Sequence, residues 1–151
     1  MKTVFDKATR DELKDRINSL NKDSQAQWGK MNVYQMVKHN IIWNEWILGK
    51  NNHPPYKQEF LGLIFGKMAL RSNVKDDRPM KKNIPAGRGF VVKEKDGDVE
   101  LHKKVWMELI AEYEHYSNPD FVHGFFGKMT VEQIGIFAYK HSDHHLRQFN
   151  A

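Results

Sequence analysis

The strongest constraint on the fold of this chain lies near its end, between Thr130 and Asn150. This stretch reads as one amphipathic helix carrying the run His141-Ser142-Asp143-His144-His145. On a helix, residues four apart stand about 40° apart around the axis and roughly 6 Å apart along it. His141 and His145 can therefore present two imidazoles to one point in space. Turning the wheel at about 100° per residue puts Glu132, Gln133, Lys140, Asp143, Arg147 and Asn150 on one side. Val131, Ile134, Ala138 and Phe149 fall on the other, with His141 and His145 in their sector and His144 at its margin. Two inward imidazoles on one stripe are either satisfied core histidines or a pair of nitrogen ligands for a divalent cation.

A third inward histidine comes from an earlier helix, expected from about Val33 to Leu48. Lys38 and Glu45 mark its solvent side, and Met36, His39, Trp43, Trp46 and Ile47 fill the opposite half. Alone, His39 reads as a packed histidine. With His141 and His145 it supplies the third nitrogen of a facial metal site. Trp43 could wall a pocket beside that site. Gln148, close to one turn beyond His145, could orient a ligand or hold a ligating ring. His102, in line with the stripe of a later helix, is a reserve ligand.

Both histidine helices open on the same device. Trp28-Gly29-Lys30-Met31-Asn32-Val33-Tyr34-Gln35 is matched by Phe126-Gly127-Lys128-Met129-Thr130-Val131-Glu132-Gln133. Asn32 and Thr130 are N-caps, and Gln35 and Gln133 close capping boxes. Convergent capping and pseudo-symmetry between two halves both account for the match. A further capping box, Thr9 with Glu12, is expected to start a first helix with Leu13, Ile17 and Leu20 as its stripe. Pro54 and Pro55 lie in a loop over residues 49–56. Residues 57–70 are a candidate short helix, with Phe60, Leu61, Ile64, Phe65 and Met68 on an apolar side expected to pack across the other helices. Residues 71–97, broken by Pro79, Pro85, Gly87 and Gly89, form a long irregular stretch of the kind that covers a site. The run Phe90-Val91-Val92 within it reads as extended chain on the core. A last intervening helix, from about Asp98 to Tyr116, has Val105, Trp106, Leu109, Tyr113 and Tyr116 as its stripe, and an aromatic linker containing His123 follows.

Composition narrows the function classes. The chain has 151 residues, which suits a single domain over residues 1–151. It has no cysteine, so disulfides, thiolate metal sites and a cysteine nucleophile are excluded. Any metal must take imidazole, carboxylate, backbone or water. No apolar run approaches the roughly twenty residues of a membrane span, and no apolar segment follows the N-terminus as in a signal peptide. The expectation is a cytoplasmic protein with no membrane partner. The net charge of +5 raises the question of nucleic acid, but the cations are interleaved with acids and form no stripe.

Gly127 to Gln133, followed by Tyr139-Lys140-His141-Ser142-Asp143-His144-His145-Leu146-Arg147-Gln148-Phe149, resembles the C-terminal signature of the DUF1569 proteins. Met31-Asn32-Val33-Tyr34-Gln35-Met36-Val37-Lys38-His39 is similar to the second-helix motif of the DinB/YfiT-like superfamily. The resemblance implies an all-α fold: a four-helix bundle with an extra short helix and a long irregular loop between the second and third long helices. It implies a divalent metal, zinc or nickel, on His39, His141 and His145, and pairing of two copies through helix faces as a homodimer. Superfamily members of known activity are similar to metal-dependent hydrolases or to transferases using a low-molecular-weight thiol cosubstrate. Three imidazoles leave at least one coordination position open for water or thiolate. The expectation is therefore a metal-dependent enzyme acting on a small molecule, with no carboxylate placed as general base. The rival readings are a non-catalytic bundle that binds metal or ligand and, further off, a nucleic-acid binder.

Overall fold

The structure, a computed structural model, describes residues 1–50, 55–87 and 89–151. The loop expected over residues 49–56 lies in part outside them, Pro54 included. Among the described residues there are five α-helices and no strand: α1 Lys7–Ser19, α2 Val33–Leu48, α3 Phe60–Val74, α4 Val99–Glu112 and α5 Val131–Gln148. A turn of 3-10 helix, Tyr113–His115, extends α4. The fold is all-α, and none of these helices is long and apolar enough to cross a membrane.

Local chemistry accounts for the two histidine helices. The Asn32 side chain accepts the Gln35 amide at 2.9 Å, and Gln35 Oε1 accepts the Asn32 amide at 3.1 Å. Thr130 and Gln133 repeat the exchange at 3.2 and 3.0 Å. Each box satisfies two backbone amides at a helix start. α2 ends at Gly49, whose φ of 72° is left-handed and favours glycine. α1 begins earlier than the Thr9 capping box suggests. Its N-cap is Asp6, and Thr9 is buried inside the first turn. The segment ahead of the helix is pinned twice: the Arg10 guanidinium donates to the carbonyls of Val4 and Phe5, and the Val4 amide donates to the Gly135 carbonyl of α5 at 3.2 Å.

Cross-helix contacts set the directions. Tyr34 meets His102, and Tyr113 donates to Asn44, so α2 and α4 run parallel. Trp43 meets Phe137 and His39 meets His145, so α2 and α5 run antiparallel. Met36, Val37, Ile47, Trp106, Ile110 and Leu146 fill the core between them.

One long cation departs from the helical wheel, and two others are drawn inward in the same way. Lys140, assigned to the solvent side of α5, is buried and donates to the carbonyls of Asn73, Asp76 and Arg78 at 2.7, 2.5 and 2.9 Å. Lys103 donates from α4 to the carbonyls of Asn18 and Leu20 at 2.9 and 2.5 Å. Arg16 donates to the Ala151 carbonyl and to Asp143 Oδ1. Lys140 and Lys103 thus meet partly negative carbonyls at and just beyond the ends of α3 and α1, and Arg16 meets the segment that follows α5. Asp143, also placed on the polar side, is buried between Arg16 and Arg147. The wheel went wrong because α5 is covered on more than one side.

α3 reverses its expected burial. Gly62, Gly66 and Leu70 face inward, and Phe60, Leu61, Ile64, Phe65 and Met68 are exposed. A Cβ at Gly62 or Gly66 would lie 2.3 or 2.1 Å from the Phe125 carbonyl oxygen, so only glycine allows this approach. In open space, Gly66→Ala would stabilise a helix by about 1 kcal/mol. Here the collision with backbone wins, and overpacking costs about 1–3 kcal/mol. Urea denaturation is expected to show Gly66→Ala less stable than the parent and Ser72→Ala, on the exposed side of the same helix, unchanged.

Candidate metal centre

α5 presents His141 and His145 one turn apart, and the antiparallel α2 brings His39 against both. One ligand atom from each of the three lies within 4.8 Å of the others. All three rings are buried, at 3%, 8% and 7% exposure for His39, His141 and His145. His39 Nε2 lies 3.3 Å from His141 Nε2. Two nitrogens at 2.0–2.1 Å on one tetrahedral ion stand about 3.3 Å apart.

The outer nitrogens decide which atoms point inward. His39 Nδ1 lies 2.8 Å from the Phe90 carbonyl, which can only accept, so Nδ1 carries the proton and Nε2 keeps its lone pair. His145 Nδ1 is 2.9 Å from Gln148 Oε1 and is held the same way. Gln148 is itself oriented, since its Nε2 donates to the Trp28 carbonyl at 2.7 Å. This amide has one acceptor and one donor, and here each faces the partner it needs. His141 differs: its Nδ1 is buried without a partner among the described residues. Its ring lies flat on Trp43, centroids 3.9 Å apart at 8°. Stacking takes over the orienting role that a hydrogen bond has for the other two.

Burial lowers the proton affinity of all these rings. His39 is lowered chiefly by desolvation, His141 far below the ordinary range by desolvation and then by its histidine neighbours, and His145 to about 3 by desolvation first. The imidazoles are neutral at physiological pH, as a cation requires of them.

Among the described residues no other histidine joins the triad. His102 bonds through Nδ1 to the Asp98 carbonyl and packs on Tyr34. His144 is partly buried, edge-on to Trp28 and His145. No carboxylate joins the triad among the described residues, and Asp143 is committed to two arginines. Three features lie beyond what residue patterns show in full. The Phe90 and Trp28 carbonyls act through backbone atoms, which sequence does not distinguish. His123 stacks on Phe126, accepts the amides of Phe125 and Phe126 at Nδ1, and is lowered to about 4 by burial. The linker's aromatics hinted at its burial, but its two donors arise from a local turn.

Replacing Gln148 with leucine keeps the bulk and removes the acceptor for His145 Nδ1–H. Loss of such an outer partner costs about 10–100-fold in metal affinity. Competition against a chromophoric chelator is expected to show that loss, with unchanged stoichiometry.

One family model, described as a protein of unknown function (DUF1569), matches residues 5–151. No curated protein and no solved structure matches the chain.

Proposed function

This chain belongs to the DUF1569 family, and from its three buried histidines we propose that it is a metal-dependent enzyme built on a DinB/YfiT-like four-helix bundle. His39, His141 and His145 hold one divalent cation, zinc or nickel, through their Nε2 atoms, leaving at least one position for a reacting molecule. One observation carries the reading: two buried rings have their Nδ1 protons committed to oxygen acceptors, which aims their lone pairs at a common point beside the third ring. A cation held there would acidify a water or a small thiol and supply an electrophile. Hydrolysis of a small molecule, or transfer to a thiol cosubstrate, follows from that chemistry in a cytoplasmic setting.

The chain's own residues bind and exclude. Trp43 fixes the His141 ring and presents apolar surface beside it, so it is both a positioning residue and a wall for a substrate. Gln148 holds His145. Phe90 is buried against Trp46 and its carbonyl holds His39, and the burial of the three rings shields the centre from solvent.

That shielding favours a second reading, a closed metal-binding protein without catalysis. Cobalt(II) substitution separates the two. Titration of the cobalt protein with a small thiol is expected to produce a sulfur-to-cobalt charge-transfer band, because a position is open. Bound cobalt whose spectrum ignores both thiol and azide would establish the closed reading. Failure to bind zinc, nickel or cobalt stoichiometrically would sink both.

A further inference from the structure

Outside the histidine centre, the outer face of α3 has no partner among the described residues. Phe60, Leu61, Leu63, Ile64, Phe65 and Met68 are each between 48% and 74% exposed. At the ~200 Å² that a large side chain presents when free, they expose on the order of 700 Å² of apolar surface. The largest patch on a typical monomer is about 300–600 Å². A helix this apolar is ordinarily covered. The glycine face, which could have taken a second helix, is already used against Phe125.

The charges around this face choose the occupant. At about 100° per residue, Arg71 and Lys75 continue the outward line of Ile64 and Met68, and Lys67 flanks it. Beside them runs a groove of about 430 Å³ lined by Lys67, Arg71, Lys128 and Thr130, the N-cap of α5. Lys67 Nζ donates to the Lys128 carbonyl, which holds its charge at the groove. Arg71, Lys75 and Lys128 form no ion pair among the described residues. The amides at the start of α5 add partial positive charge at the same rim, offset there by the exposed Glu132 of its first turn. A second copy packed on this face would bring two sets of these cations into one interface, with Glu59 at the start of α3 and Asp77 just beyond its end to offset them.

We infer that α3 docks this protein onto an anionic lipid surface. Phe60, Leu61, Ile64 and Met68 enter the boundary between headgroups and acyl chains, and Lys67, Arg71, Lys75 and Lys128 meet the lipid phosphates. Apolar insertion together with cations at the headgroup level is how a helix lying in a membrane surface binds. The histidine centre plays no part in the argument, so this inference stands or falls apart from the metal.

Co-sedimentation with two kinds of vesicle tests it: pure phosphatidylcholine, and phosphatidylcholine mixed with an equal part of phosphatidylglycerol. The full chain is expected to partition onto the mixed vesicles, weakly onto the neutral ones, and less as salt is raised. Ile64→Asp is expected to lower partitioning more than about tenfold. Lys67→Gln with Arg71→Gln is expected to lower it about twenty-fivefold, at about fivefold per cation near an anionic surface. Val91→Asp, at an exposed apolar position away from α3, serves as the control and leaves it unchanged. These side chains are exposed, so circular dichroism and metal content stay at parental values in folded variants. Equal binding to both vesicle types overturns the inference. So does the absence of binding, or a dimer in analytical ultracentrifugation that Ile64→Asp splits into monomers without any vesicle binding by the parent.

Discussion

Replacing His141 with alanine abolishes the stabilisation that zinc gives the parent protein. A ligand that binds the folded state alone stabilises it by about 4 kcal/mol at a thousandfold excess over its dissociation constant. For a chain of this length, each kcal/mol moves the thermal midpoint by about 2–4 °C. Zinc is therefore expected to raise the parent's midpoint by roughly 8–16 °C and to leave His141→Ala near its metal-free value. His141 is the ligand to remove, because its Nε2 already stands 3.3 Å from that of His39 and its ring is set by Trp43. His102→Ala and His144→Ala are the controls, since neither ring belongs to the triad. Differential scanning calorimetry with and without zinc decides the matter. A full zinc shift retained by His141→Ala would refute the assignment of the ligands.

Acid is expected to unfold the metal-free protein early. His145 and His123 are held by burial at about 3 and about 4, against about 6.5 in an unfolded chain. Their folded pKa values lie below the unfolded value, so below pH 6.5 the unfolded state takes up protons that the folded state refuses. Stability is thus fully present above about pH 6.5 and falls as pH drops toward 4 and 3. From pH 7.5 to 5.5 each histidine costs about 1.4 kcal/mol, together about 3 kcal/mol. His39 and His141 are lowered as well and act in the same direction. Against a total stability of about 5–15 kcal/mol this is a large share. Urea denaturation of chelator-treated protein across this range should show the midpoint falling steadily; a midpoint indifferent to pH would contradict the burial of these rings.

Legibility differed from element to element. α2 was read at its observed bounds because its start and stop are local: a capping box at Asn32 and a left-handed glycine at Gly49. The Thr9 box was equally plausible by sequence, yet α1 starts ahead of it, because Arg10 ties down a segment that no local pattern marks. The wheel of α5 grouped His141 with His145, and it misplaced Lys140 and Asp143. It assumes one wet face, whereas α5 has Arg16 on one side and the end of α3 on another. For α3 the periodicity identified a helix, but the apolar residues do not form its inner face. Backbone approach at Gly62 and Gly66 set its orientation instead.

What the sequence determined by itself is the helical content, the two capped histidine helices and the three imidazoles able to meet. Helical period and capping act over a few residues, so local order carries them. The tertiary structure decided which nitrogen of each ring faces inward, which charged side chains are buried and which apolar ones are left in water. Those outcomes depend on backbone carbonyls and packing partners brought from distant parts of the chain, such as Phe90 against His39 and Phe125 against Gly66, and no residue pattern announces where such an atom will come to rest.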